Sequence, residues 1–185
     1  HIKAMIEATQ DISDRVPSFK TDTLVTSYSQ CVDISDGAVI GERINPTGKK
    51  LLKEALRNKD MDYILREGIT QKDAGAHILD VNMGLPEIDE EEMLCKSVFE
   101  LQSVLPTPLQ LDSSDAKAME SALRIYNGKA MINSVNGKEK CMKEIFPLAK
   151  KYGGVVVCLC LDEDGIPSTA EGRIAIAEKI INTAK

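Results

Sequence analysis

The sequence predicts an α/β protein built on a parallel sheet, and three observations carry that expectation. Between Ala38 and Leu161, short apolar runs alternate with helical patterns, giving about five strands at a spacing of roughly 20 to 30 residues. Nearly every run ends in a carboxylate or a carboxamide: Glu42, Asp80 with Asn82, Asp112, Asn133 and Asp162. Neither GxGxxG nor a GxxxxGK(S/T) loop follows the first strand, which disfavours an open doubly wound sheet. What remains is a parallel (β/α)8 TIM barrel, truncated to about five βα units and preceded by a helix and an extended linker.

The elements follow in order. Residues 1–12 have a helical pattern with Ile2, Met5 and Ile6 as an apolar stripe. Residues 13–37 are rich in Ser, Thr and Asp, hold Pro17 and show little periodicity, so they read as an extended connector with a unit boundary. The regular pattern then begins with a strand from Ala38 to Ile44, a loop at Asn45-Pro46-Thr47-Gly48 and a helix around Leu51 to Leu56. Asp60 caps a helix bearing Ile64, Leu65 and Ile69, and the strand Ile78 to Asn82 follows. Asp89 and Glu92 form a capping box for a helix bearing Met93, Val98 and Leu101, and Pro106 lies past its end. Strand Leu109 to Asp112 leads to a helix from Asp115 to Tyr126, which Asn127-Gly128 stops, and then to strand Ala130 to Asn133. Asn136 with Glu139 is expected to cap the next helix, and Pro147 to kink or interrupt it before Gly153-Gly154. Val155 to Leu161 is the most apolar strand, a pattern expected of a strand covered on both sides. Ser168 with Glu171 is expected to cap the last helix.

Composition narrows the class. With 43% hydrophobic and 28% charged residues, the 185-residue chain has the profile of an ordinary globular protein. A formal net charge of -6 argues against nucleic acid as the partner, because phosphate neutralisation needs a basic face. No apolar run reaches the roughly 18 residues of a membrane span and no signal core is visible, so the expected location is cytoplasmic, away from membranes. Five cysteines at 31, 95, 141, 158 and 160 lack CxxC spacing, and only His1 and His77 are present to complete a metal site. Reduced structural thiols are expected, with no metal. His77 is expected to be a structural histidine, and Met83, Met119 and Met131 core packing. The chain starts without Met and stops within a helical pattern, which suggests a piece of something longer.

The strand ends decide the chemistry. Side chains alternate along a strand, so Gln110 and Asp112 face away from Leu109 and Leu111, and Met131 and Asn133 away from Ile132. In a parallel barrel the C-terminal strand ends form the ligand face. A row of carboxylates and amides without a Lys or Arg cluster does not suit phosphate, and without a DxDxD loop it suits a hard cation poorly. It matches a neutral heterocycle with adjacent N–H donors, since one carboxylate accepts two parallel N–H bonds from an aminopyrimidinone edge.

Four segments sharpen this: Gly41-Glu42-Arg43-Ile44-Asn45-Pro46-Thr47-Gly48, Gly75-Ala76-His77-Ile78-Leu79-Asp80-Val81-Asn82-Met83-Gly84, Leu111-Asp112-Ser113-Ser114 and Met131-Ile132-Asn133-Ser134. In this order they resemble the pterin-binding barrel of the cobalamin-dependent methionine synthases and related corrinoid methyltransferases and, more distantly, the dihydropteroate synthases. The likeness covers about Ala38 to Lys185. His-Ile-Lys-Ala-Met at the start is similar to the last helix of the homocysteine-binding barrel that precedes the folate barrel in those proteins.

The resemblance implies three segments: residues 1–12 as the end of the homocysteine-binding barrel, 13–37 as the interdomain linker and 38–185 as the N-terminal part of the pterin-binding barrel. It implies that Asp112 and Asn133 bond the pterin ring of 5-methyltetrahydrofolate and that Glu42 lies in the same pocket. Asp80 and Asn82 match the second-strand motif, as ligand contacts or as residues that order the pocket. The implied reaction moves a methyl group from N5 to a Co(I) corrinoid and on to homocysteine. The family's Asn that assists N5 would lie beyond Lys185, so no catalytic residue is assigned. No DxHxxG motif is present, so cobalamin is expected from another domain, and zinc only from the upstream one. A truncated barrel exposes two strand edges, and the segment alone is expected to bind folate weakly and to show no turnover. The rival readings are a dihydropteroate synthase-type enzyme and a non-catalytic interdomain fragment.

Overall fold

The computed structural model of the chain describes residues 1–12 and 22–185, so the 13–21 part of the expected linker lies outside the described residues. Helix α1 (Ile2–Thr9) buries no residue, and Ile2, Met5 and Ile6 stay exposed. Strands β1 (Leu24–Thr26) and β2 (Cys31–Asp33) then pair antiparallel. Five parallel strands follow: β3 (Ile40–Ile44), β4 (Ile78–Asn82), β5 (Leu109–Asp112), β6 (Met131–Asn136) and β7 (Val155–Leu159). Their spatial order is their chain order. A doubly wound sheet reverses direction at a switch point, and this sheet does not, so it is an arc of a barrel. The connections carry α2 (Lys50–Arg57), α3 (Met61–Asp73), α4 (Glu90–Val104), α5 (Ala116–Ile125) and α6 (Glu139–Tyr152), and α7 (Ala170–Ala184) follows β7.

The two sheet faces differ as strand alternation requires. Leu79, Val81, Leu109, Leu111 and Ile132 face the helices and join one continuous core with Leu56, Ile64, Met93, Leu101, Met119 and Ile145. Ile78 and Met131 face the other way and pack with Val25 of β1 in a second, smaller cluster. The β1–β2 pair therefore covers the N-terminal end of the arc. Thr26 N–H donates to the Lys129 carbonyl at 3.0 Å, and the Tyr126 hydroxyl donates to the Thr26 carbonyl at 2.8 Å while accepting from Leu109 N–H at 3.0 Å. Burial pushes the Tyr126 hydroxyl pKa up to about 12. The sequence predicts no strand here, because each is three residues long and only Val25 is fully buried.

Most helix starts fall where the capping residues place them. Asp60, Asp89 and Asp115 accept from Tyr63, Glu92 and Lys117 N–H at 3.0, 2.9 and 2.8 Å. Two do not. Strand β6 runs on to Asn136, so α6 starts from Lys138, and the Asn136 side chain accepts from Lys138 N–H instead of capping the helix. Helix α7 is capped by Thr169, whose hydroxyl accepts from Gly172 N–H, and not by Ser168. Helix α6 also passes through Pro147 without a break. Pro147 removes one N–H, and the burial of Met142, Ile145 and Ala149 around it keeps the helical path.

The expectation that β7 is covered on both sides is corrected. Its residues are half-buried or exposed, because it is the last strand of the arc and pairs with β6 alone. Asp162 lies beyond that strand, in a tight turn bridged to Gly165.

Candidate functional site

Strand register stacks the polar side chains in two rows on the concave face. The upper row is Asn82, Asp112 and Asn133, aligned across β4, β5 and β6. One step below, Asp80 is opposite Gln110, and Gln110 is opposite Met131. All five residues expected in a site, Glu42, Asp80, Asn82, Asp112 and Asn133, thus gather at the C-terminal strand ends. Asp162 does not join them.

Each is held by a polar neighbour. Asn45, in the loop after β3, donates from Nδ2 to Glu42 Oε1 at 3.3 Å and to Asp112 Oδ2 at 3.4 Å, which links two strand ends. Its Oδ1 accepts from Thr47 N–H at 3.0 Å. Asn133 Nδ2 donates to Asp80 Oδ1 at 3.4 Å, and Gln110 Nε2 donates to the same oxygen. Asn82 Oδ1 accepts from Gly84 N–H at 2.8 Å and so shapes the turn after β4. Strand β3 shifts register between Gly41 and Ile44, and Gln71 Oε1 accepts the Arg43 N–H at 2.7 Å. Gly41 allows this approach, since a Cβ there would stand 2.6 Å from Gln71 Oε1.

Burial raises the pKa of Asp112; a hydrogen bond with Asn82 opposes this, and the charges of Glu42 and Glu90 add to it. Asp80 is raised further, to about 6: burial leads, bonds from Gln110 and Asn133 oppose it, and Asp112 and Glu42 reinforce it. Lys49, in the loop after β3, is turned to the backbone carbonyls of Glu42 and Asn45 at 2.8 and 3.1 Å. The row itself is therefore rich in acceptors and bonded to no cation, although Lys138 and Lys140 line the adjoining cavity, and it suits a neutral ring edge that donates N–H bonds.

A cavity of about 270 Å³ adjoins the upper row, lined by Asp112, Asn133, Ser134, Asn136 and Lys138 among others. Strand alternation places Gln110 beside Asp112, but its contact with Asp80 depends on register and was not legible in the sequence. Asn45 was legible only as part of the Asn-Pro-Thr-Gly loop. Ser113, buried behind Asp112, donates to Glu90 at the start of α4.

Among the described residues, no three His, Cys, Asp or Glu side chains come together to hold a metal ion. His77 lies at the opposite end of β4, where its Nδ1 accepts from Val39 N–H at 2.9 Å. It is therefore structural, though exposed. All five cysteines are free thiols, and Cys31 and Cys158 are exposed. No helix of the described residues is long and apolar enough to cross a membrane.

The sequence profile of a family described as pterin binding enzyme matches residues 41–182. The methionine synthase of Mycobacterium tuberculosis is 29% identical over 98% of this chain, which spans 16% of that protein. The methylcorrinoid:tetrahydrofolate methyltransferase of Eubacterium limosum is 30% identical over 80% of this chain and 55% of its own length. Among solved structures, the 7,8-dihydropteroate synthase of Vibrio fischeri ES114 superposes with a TM-score of 0.64 at 14% identity, over 88% of this chain and 61% of that one. That likeness is one of fold.

Proposed function

The chain belongs to the pterin binding enzyme family, and from that premise we propose that it is the folate-binding part of a methyltransferase. The proposed reaction moves a methyl group from N5 of 5-methyltetrahydrofolate to a Co(I) corrinoid and on to homocysteine. The observation that carries this is the row of Asn82, Asp112 and Asn133 over Asp80, which offers carboxylate and amide groups to a ligand and, among the described residues, hydrogen-bonds no cation. Asp112 accepts the paired N–H donors of the aminopyrimidinone, Asn133 takes the neighbouring position, and Glu42 closes the side toward β3. Asn82 orders the turn after β4 and stands beside Asp112, which Asn45 holds by a hydrogen bond.

The sequence relatives support a methyltransferase over a dihydropteroate synthase, since they align at about twice the identity of the structural neighbours. A corrinoid accepts the methyl group in this reading and is delivered by another domain. The concave face offers it no histidine, because His77 is at the far end of β4 and His1 precedes α1. Zinc, with homocysteine, belongs to a neighbouring domain as well. In the same reading, residues 1–12 end a homocysteine-binding barrel, 13–37 connect the units and 38–185 are part of the pterin-binding barrel, acting in the cytoplasm.

The test is calorimetric titration of the full-length protein with 5-methyltetrahydrofolate, beside an Asp112→Ala variant. Each pterin N–H left without its acceptor costs about 1–3 kcal/mol, so the variant's affinity falls roughly tenfold or more. Unchanged affinity overturns the assignment. Residues 1–185 alone, with β3 and β7 as open edges, are expected to bind much more weakly and to show no turnover.

A further inference from the structure

Two buried side-chain atoms of the described residues lack any hydrogen-bond partner: Asp80 Oδ2 and Gln110 Oε1. They belong to one pair. β4 and β5 align the two residues, Gln110 Nε2 donates to Asp80 Oδ1, and the residues are 1% and 6% exposed. An ionised carboxylate and a primary amide make only this one bond, because the two remaining atoms are both acceptors. A single proton on Asp80 Oδ2 supplies the donor that Gln110 Oε1 lacks, and both unpartnered atoms are satisfied together.

We propose that Asp80 is held as a neutral carboxylic acid, its Oδ2–H donated to Gln110 Oε1 while Gln110 Nε2 donates to Oδ1, and that this acid–amide pair is an uncharged floor beneath the row of Asn82, Asp112 and Asn133. The pterin reading supplies only the identity of the ligand above that floor.

The surroundings agree. The charged groups that act on Asp80 are Glu42 from β3 and Asp112 from β5, both anionic, and Glu90 of α4 acts in turn on Asp112. β6 contributes only the Asn133 amide, and Lys49 of the β3–α2 loop is bonded to carbonyls. Burial already moves the Asp80 pKa to about 6, and an O–H bond to Gln110 favours the acid form further. Carboxylates this close do not both ionise cheaply, so the environment divides their roles. Asp112 remains the anion that accepts ligand N–H groups. Below about pH 6 Asp80 keeps the proton and steadies Asn133 through Oδ1.

The experiment needs no ligand, so it fails or succeeds independently of the pterin reading, which folate titration tests separately. The Asp80 carboxyl carbon is titrated by NMR in the 185-residue chain, and urea unfolding is measured from about pH 4 to 8 for the wild type and Asp80→Asn. The substituted amide carries an N–H where the acid carries O–H, so it reproduces both bonds. The expected result is a carboxyl that titrates about two pH units or more above an ordinary aspartate, and an Asp80→Asn variant as stable as the wild type at about pH 4 and more stable at higher pH, where it lacks the wild-type decline. A carboxyl titrating in the ordinary range, a variant that keeps the wild-type pH slope, or one much less stable at pH 5 overturns the proposal. If Asp80→Asn does not fold, the wild-type titration decides alone.

Discussion

At the scale of single residues, the site is governed by what its carboxylates are surrounded by. Asp112 and Asp80 lie one step apart on neighbouring strands, yet the first is half-buried beneath a cavity and the second is sealed from solvent. The sealing has a thermodynamic signature. The folded-state pKa of Asp80 is raised from 3.8 to about 6, so its contribution to stability is complete below about pH 4 and is lost as pH rises through 6. Raising that pKa from 3.8 to about 6 corresponds to about 3 kcal/mol. Urea midpoints are therefore expected to fall between about pH 4 and pH 7, against the usual trend for paired carboxylates. Gln110→Leu removes the amide from Asp80 and is expected to cost about 1–3 kcal/mol at pH 5, read by the same unfolding curves. Asp112 was legible in the sequence because it ends a strand within a family motif. Gln110 was not, because a glutamine inside an apolar strand announces nothing until register puts a carboxylate opposite it.

At the scale of elements, the telling case is the β1–β2 pair. Its residues have no strong period, and their structure comes from what they cover, with Val25 against Ile78 and Met131. Tyr126 is the fastener, bonded at once to Leu109 N–H and the Thr26 carbonyl. Tyr126→Phe keeps the ring but leaves the Leu109 N–H unpaired in a buried position, so a loss of about 1–3 kcal/mol is expected in denaturant unfolding. Protease sensitivity near β1 should rise with it. Gly128 adds a steric condition, since a Cβ there would collide with the Thr26 backbone. Helix starts were mostly legible, because an Asp before an apolar periodic run satisfies orphan N–H groups locally. The miss at α6 has the opposite origin. Asn136 has the right spacing to Glu139, but β6 extends through it and pairs with Leu159, which leaves its side chain to Lys138 N–H.

At the scale of the whole molecule, the arc is unevenly supported. Strands β4, β5 and β6 have a hydrogen-bonded neighbour on each side, whereas β3 and β7 have one. Amide hydrogen exchange is expected to be slowest in Leu79, Val81, Leu109, Leu111 and Ile132, and faster by orders of magnitude along β7, where side chains are half-buried or exposed. Equal protection across all five strands would show that β7 is covered by something its own pairing does not provide. Surface ion pairs such as Lys59–Glu92 and Lys117–Glu91 decorate the helix layer and contribute little, being largely solvated. The stability of the arc resides in the helix-facing core, while the concave face carries a small apolar cluster at its N-terminal end and polar side chains toward the C-terminal strand ends.

The sequence by itself determined the alternation of strands and helices, the parallel sheet and the residues that end its strands, because hydrophobic period, caps and turn residues are local properties of the chain. Tertiary structure alone decided three things: that Asp80 meets Gln110 and not solvent, that two three-residue strands cover the N-terminal end of the arc, and that an apolar β7 remains partly open. Each depends on register and on which strand lies beside which. Those relations are set by long-range packing, and no window of sequence contains them.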